Sequence, residues 1–279
     1  MGVIATLLIT TAIAGVLGTG LGGLIGALLQ KDSSKTVSVL LSFAAGVMLS
    51  VVCFDLVSEA IETGVGILVV IGAIAIGVIV IFVLNYLIDK NTIPEVPHVD
   101  ENHPKTHDDL DELIHSDHLR QHAKRKDGKF ALFVAGIVMS CAIALHNVPE
   151  GMTIGASYAS NNGVMGSAAL VLAVLIGLHN IPEGMAVSVP LISGGMPKWK
   201  AVLITASSGI PTILGALLGY WLGEIGPLGL TMSLGFASGA MLYVVFGEIL
   251  PQSILMYHSK LPAFSTIVGM LVGILIIFV

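Results

Sequence analysis

Apolar residues in this chain run on without a polar break for about the thickness of a bilayer at a time. Charge-free runs fall near 2–29, 36–54, 64–88, 130–149, 158–182, 201–223, 225–247 and 261–279, close to the ~20 residues a helix needs to cross the hydrocarbon core. Transmembrane strands would read as ~10-residue alternating segments, whereas these runs are continuous and rich in Leu, Ile, Val, Ala and Gly. The pattern predicts an all-α integral membrane protein with eight transmembrane helices in one transmembrane domain, 1–279. No Lys or Arg precedes the first run, so it lacks the charged start of a signal peptide and is expected to stay as span 1.

Composition sharpens this picture. The chain is 55% hydrophobic and 11% charged with a mean hydropathy of +0.95, outside the range of soluble domains. Its twelve Lys and Arg also orient it, because positive residues collect in cytoplasmic loops. Lys31 and Lys35 lie between spans 1 and 2, seven more between spans 3 and 4, Lys198 and Lys200 between spans 5 and 6, and Lys260 between spans 7 and 8. The connections near 59–64, 155–163 and 223–228 have none. Both termini are therefore expected outside.

The one hydrophilic stretch, 89–129, holds ten acidic residues, seven basic residues and six histidines, and reads as a flexible cytoplasmic loop. Within it His115, His118 and His122 have the spacing of one helix face, which suits transient metal binding; a plain solvated loop has the same composition. Cys53 and Cys141 fall inside spans, where packing is the default reading, so no disulfide framework is expected.

Chemistry enters with a repeat. His146-Asn147-Val148-Pro149-Glu150-Gly151 returns as His179-Asn180-Ile181-Pro182-Glu183-Gly184. An ionisable group at the bilayer centre is penalised by at least ~2.5 kcal/mol, so two Glu-bearing copies of one motif point to function. At 100° per residue a His, the next Asn and the Glu four positions on share one sector, so each copy turns imidazole, amide oxygen and carboxylate to a common point. Such N and O donors suit Zn²⁺, Fe²⁺ or Mn²⁺, and the lack of thiolates argues against a tight structural zinc site. Pro149 and Pro182 remove one helical hydrogen bond each and are expected to kink the spans there.

A second symmetry links the ends of the chain. Phe43-Ala44-Ala45-Gly46-Val47-Met48-Leu49 of span 2 aligns with Phe236-Ala237-Ser238-Gly239-Ala240-Met241-Leu242 of span 7 at an offset of 193, which sets Asp55 opposite Glu248. Spans 1 and 6 align at 189. Spans 1–3 and 6–8 are thus expected to form an inverted repeat around the metal-binding spans 4 and 5, the sequence pointer to alternating access. Asp55 and Glu59, near one end of span 2, and Glu248, toward the opposite face in span 7, are candidates for an entrance and an exit; interfacial carboxylates are the alternative. Met48 is a soft ligand candidate, although Met in a helix is usually filler.

Taken together, the paired HNxPEG motifs, the AGVML and GAMLYVV stretches, the eight spans and the His-rich loop resemble the ZIP (Zrt-, Irt-like) family of divalent-metal transporters, in its prokaryotic branch, over the whole chain. The resemblance implies an importer of Zn²⁺, often also of Fe²⁺, Mn²⁺ or Cd²⁺. It implies His146, Glu150, His179 and Glu183 as the primary site, Asn147 and Asn180 as positions that serve an adjacent second metal, and Met48 close by. It also implies an elevator-like motion and a homodimer. Many relatives have Ser-Gly-x-x-Glu-Pro in span 6, where this chain has Ser208-Gly209-Ile210-Pro211-Thr212-Ile213; some have Asp at the position of Asn180. Both changes remove negative charge, so one well-held ion is expected. The expected partners are divalent metal ions and the lipid bilayer, without nucleic acid. The metal is cargo, not a cofactor. An intramembrane zinc hydrolase is the alternative, disfavoured because no HExxH pattern occurs. A metal sensor would need an output domain that the sequence lacks.

Overall fold

A computed structural model describes residues 2–28, 33–92, 126–160 and 167–278. His115, His118 and His122 lie outside these described residues. Among the described residues, eight helices are long and apolar enough to cross a membrane: span 1, Val3–Leu28; span 2, Lys35–Glu62; span 3, Ile67–Leu87; span 4, Leu132–Ser160; span 5, Ala169–Ser193; span 6, Lys198–Glu224; span 7, Pro227–Met256; span 8, Leu261–Phe278. The described residues contain no strand. Large apolar side chains such as Leu68, Phe82, Leu214, Trp221 and Leu271 stay exposed on the outside of the bundle, as expected of surfaces solvated by lipid.

Several boundaries differ from the hydrophobic pattern. Those of spans 2 and 7 pass Asp55 and Glu248 to reach Glu62 and Met256, and two others bear on the motif. Charge-free runs stop at Glu150 and Glu183, but the helices continue past them to Ser160 and Ser193. The motif therefore sits mid-span in both. The carboxylates do not end the spans because they point into the bundle, where both are buried.

The spans sort into two groups by their packing. Span 4 lies along span 6 and span 1 along span 5, with spans 4 and 5 against each other; span 2 lies along span 8 and span 3 along span 7. Glycines make the close contacts within each group. A Cβ on Gly22 would strike the Ile181 carbonyl and one on Gly184 the Thr19 carbonyl; a Cβ on Gly215 would strike the Val148 carbonyl and one on Gly151 the Thr212 carbonyl. In the other group Gly46 meets Thr266, Gly269 meets Phe43, Gly239 meets Ile74 and Gly77 meets Phe236. Small residues let backbones approach until carbonyls touch the neighbouring helix, the usual basis of helix association in lipid.

These contacts also set the register of the repeat. Gly22 on Ile181 corresponds to Gly215 on Val148, and Gly184 on Thr19 to Gly151 on Thr212. Spans 1 and 6 are therefore related by 193 residues, the same offset as spans 2 and 7, and spans 4 and 5 by 33. The offset of 189 expected for spans 1 and 6 is a slip of four residues. Four residues are about one helical turn and keep the same face, and the glycines in both spans recur at that interval, so the sequence alone hides the slip. Spans 3 and 8 follow at 192, since Ile74 meets Gly239 as Thr266 meets Gly46.

Irregular turns interrupt four of the six helices of the repeat, spans 1, 2, 6 and 7. Span 1 has a π-helical segment at Ile13–Leu17, span 2 at Val51–Leu56 and span 7 at Val245–Ile249. Span 6 breaks between Ser207 and Pro211, at the positions 193 residues after the π segment of span 1. Such bulges favour functional sites.

Gly215→Ala should lower the unfolding midpoint of the detergent-solubilised protein, since overpacking against a backbone costs about 1–3 kcal/mol. Gly72→Ala, where an added Cβ meets nothing, should leave it unchanged. Equal midpoints for the two variants would show that the close approach of spans 4 and 6 carries no stability.

Candidate metal site

Spans 4 and 5 stay helical through Pro149 and Pro182. Within each copy the four-residue interval stacks His over Glu on one face, and the two faces meet between the spans. All six polar motif residues, His146, Asn147, Glu150, His179, Asn180 and Glu183, are buried.

They separate into three sets. Glu150, His179 and Glu183 each turn a ligand atom to one point, all within 4.8 Å of one another, with His179 Nε2 2.9 Å from Glu150 Oε1. Bonds from a divalent transition metal to N and O run about 2.0–2.2 Å, so donors grouped this closely can reach one ion. Both oxygens of Glu183 and Oε2 of Glu150 are buried without a hydrogen-bond partner. Unpaired carboxylate oxygens in a low-dielectric interior are costly, and a divalent cation is the ligand that compensates them.

His146 forms the second set. Its Nε2 lies 2.8 Å from Glu248 Oε2 in the π segment of span 7. The expected four-ligand constellation is therefore divided: three members converge, and the fourth is held by a carboxylate from the other helix group. Glu183 also feels the charges of His146 and Glu248, so the two sets are electrostatic neighbours. Met139 and Gln252 continue along the same two helices toward the Lys side, with Gln252 Nε2 3.4 Å from the Met139 sulfur.

The asparagines make the third set, a hydrogen-bonded tie. Asn147 Nδ2 donates to the Ser208 carbonyl at 2.8 Å, and its Oδ1 accepts from Thr212 Oγ1 at 3.2 Å. Asn180 Nδ2 donates to the Ala14 carbonyl at 3.2 Å. Both acceptor carbonyls belong to the irregular turns of spans 6 and 1. Thr212, which stands where many relatives have Glu, thus spends its hydroxyl on Asn147. The anchoring carbonyls of Ala14 and Ser208 were not among the residues singled out from sequence; the residue before Pro211 marked only a disfavoured helical position.

The other candidates are dispersed. Met48 is fully buried in the main apolar core with Met185 and Met241. Asp55 and Glu59 are half-buried one turn apart on span 2, and Glu59 reaches Ser160 at the end of span 4.

Sequence comparison gives an independent view. A family profile described as "ZIP Zinc transporter" matches residues 3–279. The chain is 33% identical over 274 residues to the zinc transporter ZupT of Clostridium perfringens, covering 94% of this chain and 91% of that protein. It is 32% identical over 269 residues to the ZupT of an Enterobacter strain, covering 94% and 92%, and 31% identical over 269 residues to the zinc transporter ZIPB of Bordetella bronchiseptica, covering 93% and 75%.

Glu183→Gln should weaken Zn²⁺ binding by about tenfold or more, the effect expected for removing one charged donor. Asn147→Leu should leave affinity within a few-fold and lower stability by about 1–3 kcal/mol, through the unpaired Ser208 carbonyl and Thr212 hydroxyl. Calorimetric Zn²⁺ titration and thermal unfolding of the same preparations separate the two roles, and a reversed pattern would exchange them.

Proposed function

Since the chain belongs to the ZIP family of zinc transporters, we propose that it carries Zn²⁺ into the cytoplasm by alternating access, with Glu150, His179 and Glu183 as the central ligands. The observation that carries this reading is the trio of partnerless carboxylate oxygens converging with an imidazole in the middle of the bundle. A resident structural ion would be enclosed by ligands fully committed to it. Here His179 is shared with Glu150, and His146 waits with Glu248, so the ion has somewhere to go.

The path follows the orientation set by Lys and Arg. Asp55 and Glu59 stand toward the Glu62 end of span 2, the outer face, and draw cations in. Glu248 and His146 stand toward the Met256 end of span 7, the cytoplasmic face, and take the ion as it leaves the central trio. Fe²⁺, Mn²⁺ and Cd²⁺ fit the same N and O donors with less preference. Ligand protons are displaced as metal binds, so apparent affinity falls as the medium becomes more acidic.

The packing suits a moving unit. Spans 1, 4, 5 and 6 are joined by backbone contacts at glycine; in the other group such contacts join span 2 to span 8 and span 3 to span 7, and spans 2 and 7 pack against each other, while the groups meet chiefly where span 4 faces span 7 and span 2 faces span 5. Rigid groups with a different interface between them slide as bodies. The tie among Asn147, Thr212 and Ser208 engages Asn147 in neutral hydrogen bonds, which supports one central ion. The termini lie outside and the membrane is the plasma membrane in this reading.

Zn²⁺ uptake into proteoliposomes should fall to background in Glu150→Ala and in Glu183→Ala, and titration of the wild type should give one tight intramembrane ion per chain. Uptake that survives both substitutions, or two tight ions, would overturn the respective statement.

A further inference from the structure

The twofold relation has a consequence for a pair of residues that do not touch. The mapping of span 4 onto span 5 carries His146 to His179, and the mapping of span 7 onto span 2 carries Glu248 to Asp55. The two carboxylates have matching backbone settings: each is the penultimate residue of a π-helical segment, Val51–Leu56 or Val245–Ile249. Spans 2 and 7 are antiparallel, so Asp55 and Glu248 lie toward opposite faces of the membrane. Only one of the two equivalent pairs is made. His146 is 2.8 Å from Glu248, whereas His179 is engaged by Glu150, and no described ion pair joins His179 to Asp55.

The location of the made pair matters. His146 and His179 belong to the group of spans 1, 4, 5 and 6, and Asp55 and Glu248 to the group of spans 2, 3, 7 and 8, so both pairs bridge the interface that must change when the groups slide. An inverted repeat whose halves keep the same internal contacts has two mirror-related arrangements close in energy. The mirror of the present one breaks His146–Glu248, forms His179–Asp55, and exchanges His179–Glu150 for His146–Glu183.

We infer that Asp55 and His179 form a second divalent-cation site, transient and open to the face opposite Glu248, assembled only when the His146–Glu248 pair is apart. Its imidazole nitrogen and carboxylate oxygen select the same class of ion as the central ligands. The inference rests on the transporter reading and adds to it the ligand that hands the ion to His179. Asp55 then acts on the ion directly, and Glu59, one turn nearer the surface and reaching Ser160, stays outside the site.

The test replaces the pairs by cysteines in a background carrying Cys53→Ser and Cys141→Ser. Purified Asp55→Cys/His179→Cys and His146→Cys/Glu248→Cys proteins are treated with Hg²⁺ and then with a maleimide, and labelling is read by mass. Both pairs should be protected, and the control Asp55→Cys/His146→Cys should remain labelled. Protection of the 146/248 pair alone, protection of neither, or equal protection of the control overturns the inference. If the cysteine proteins do not purify as single species, flux through Asp55→Asn and Glu248→Gln proteins decides. The ratio of half-saturating Zn²⁺ at the two faces should shift about tenfold in opposite directions, the value of one charge-assisted contact; shifts in the same direction, or none, overturn it. Bridging is measured without transport, so wild-type protein that moves no Zn²⁺ would refute the transporter reading and leave the bridging result to stand by itself.

Discussion

Everything in this protein is arranged around carboxylates that have nowhere to put their charge. Glu150 and Glu183 are buried at the middle of a bundle surrounded by hydrocarbon, and three of their four oxygens have no hydrogen-bond partner. A group so placed costs at least ~2.5 kcal/mol unless a counter-charge arrives. Protons or a divalent cation can supply it, and the imidazoles beside them make the cation the better fit. The requirement also limits the site, because ligands that bound too well would never release.

Glycine makes that arrangement buildable. In lipid there is no hydrophobic drive to press helices together, so van der Waals contact and close backbone approach must hold them. Contacts such as Gly22 on the Ile181 carbonyl and Gly215 on the Val148 carbonyl fasten each motif helix to one outer helix, and the asparagine amides fasten the same pairs again by donating to Ala14 and Ser208. The motif side chains are thereby held by helices packed through glycine. Glu248, which pairs with His146, stands on the other group, so that pair crosses the interface between the two groups.

Much of this was legible beforehand, and the gaps have physical causes. The duplicated motif named all three side chains that converge, because His and Glu four residues apart share a helix face whatever surrounds them. The spans were countable, but the charge-free runs marked their ends poorly, since spans 2, 4, 5 and 7 continue past Asp55, Glu150, Glu183 and Glu248. The repeat of spans 2 and 7 stood out through aromatic and methionine positions, while that of spans 1 and 6 slipped by one turn on evenly spaced glycines. The pairing of His146 with Glu248 depends on how spans 4 and 7 pack, which no spacing encodes. The asparagines read as metal ligands from their sector, and the sequence did not show that their amide nitrogens also donate to the carbonyls of Ser208 and Ala14, which are available where spans 6 and 1 depart from regular helix.

X-ray absorption at the zinc edge on the purified, Zn²⁺-loaded protein reads the ligands themselves. The account predicts a shell of N and O donors near ~2.0–2.1 Å with the outer scattering of imidazole and no sulfur at ~2.3 Å, and loss of an oxygen donor in Glu183→Gln. A shell containing sulfur, or one unchanged by that substitution, would contradict it.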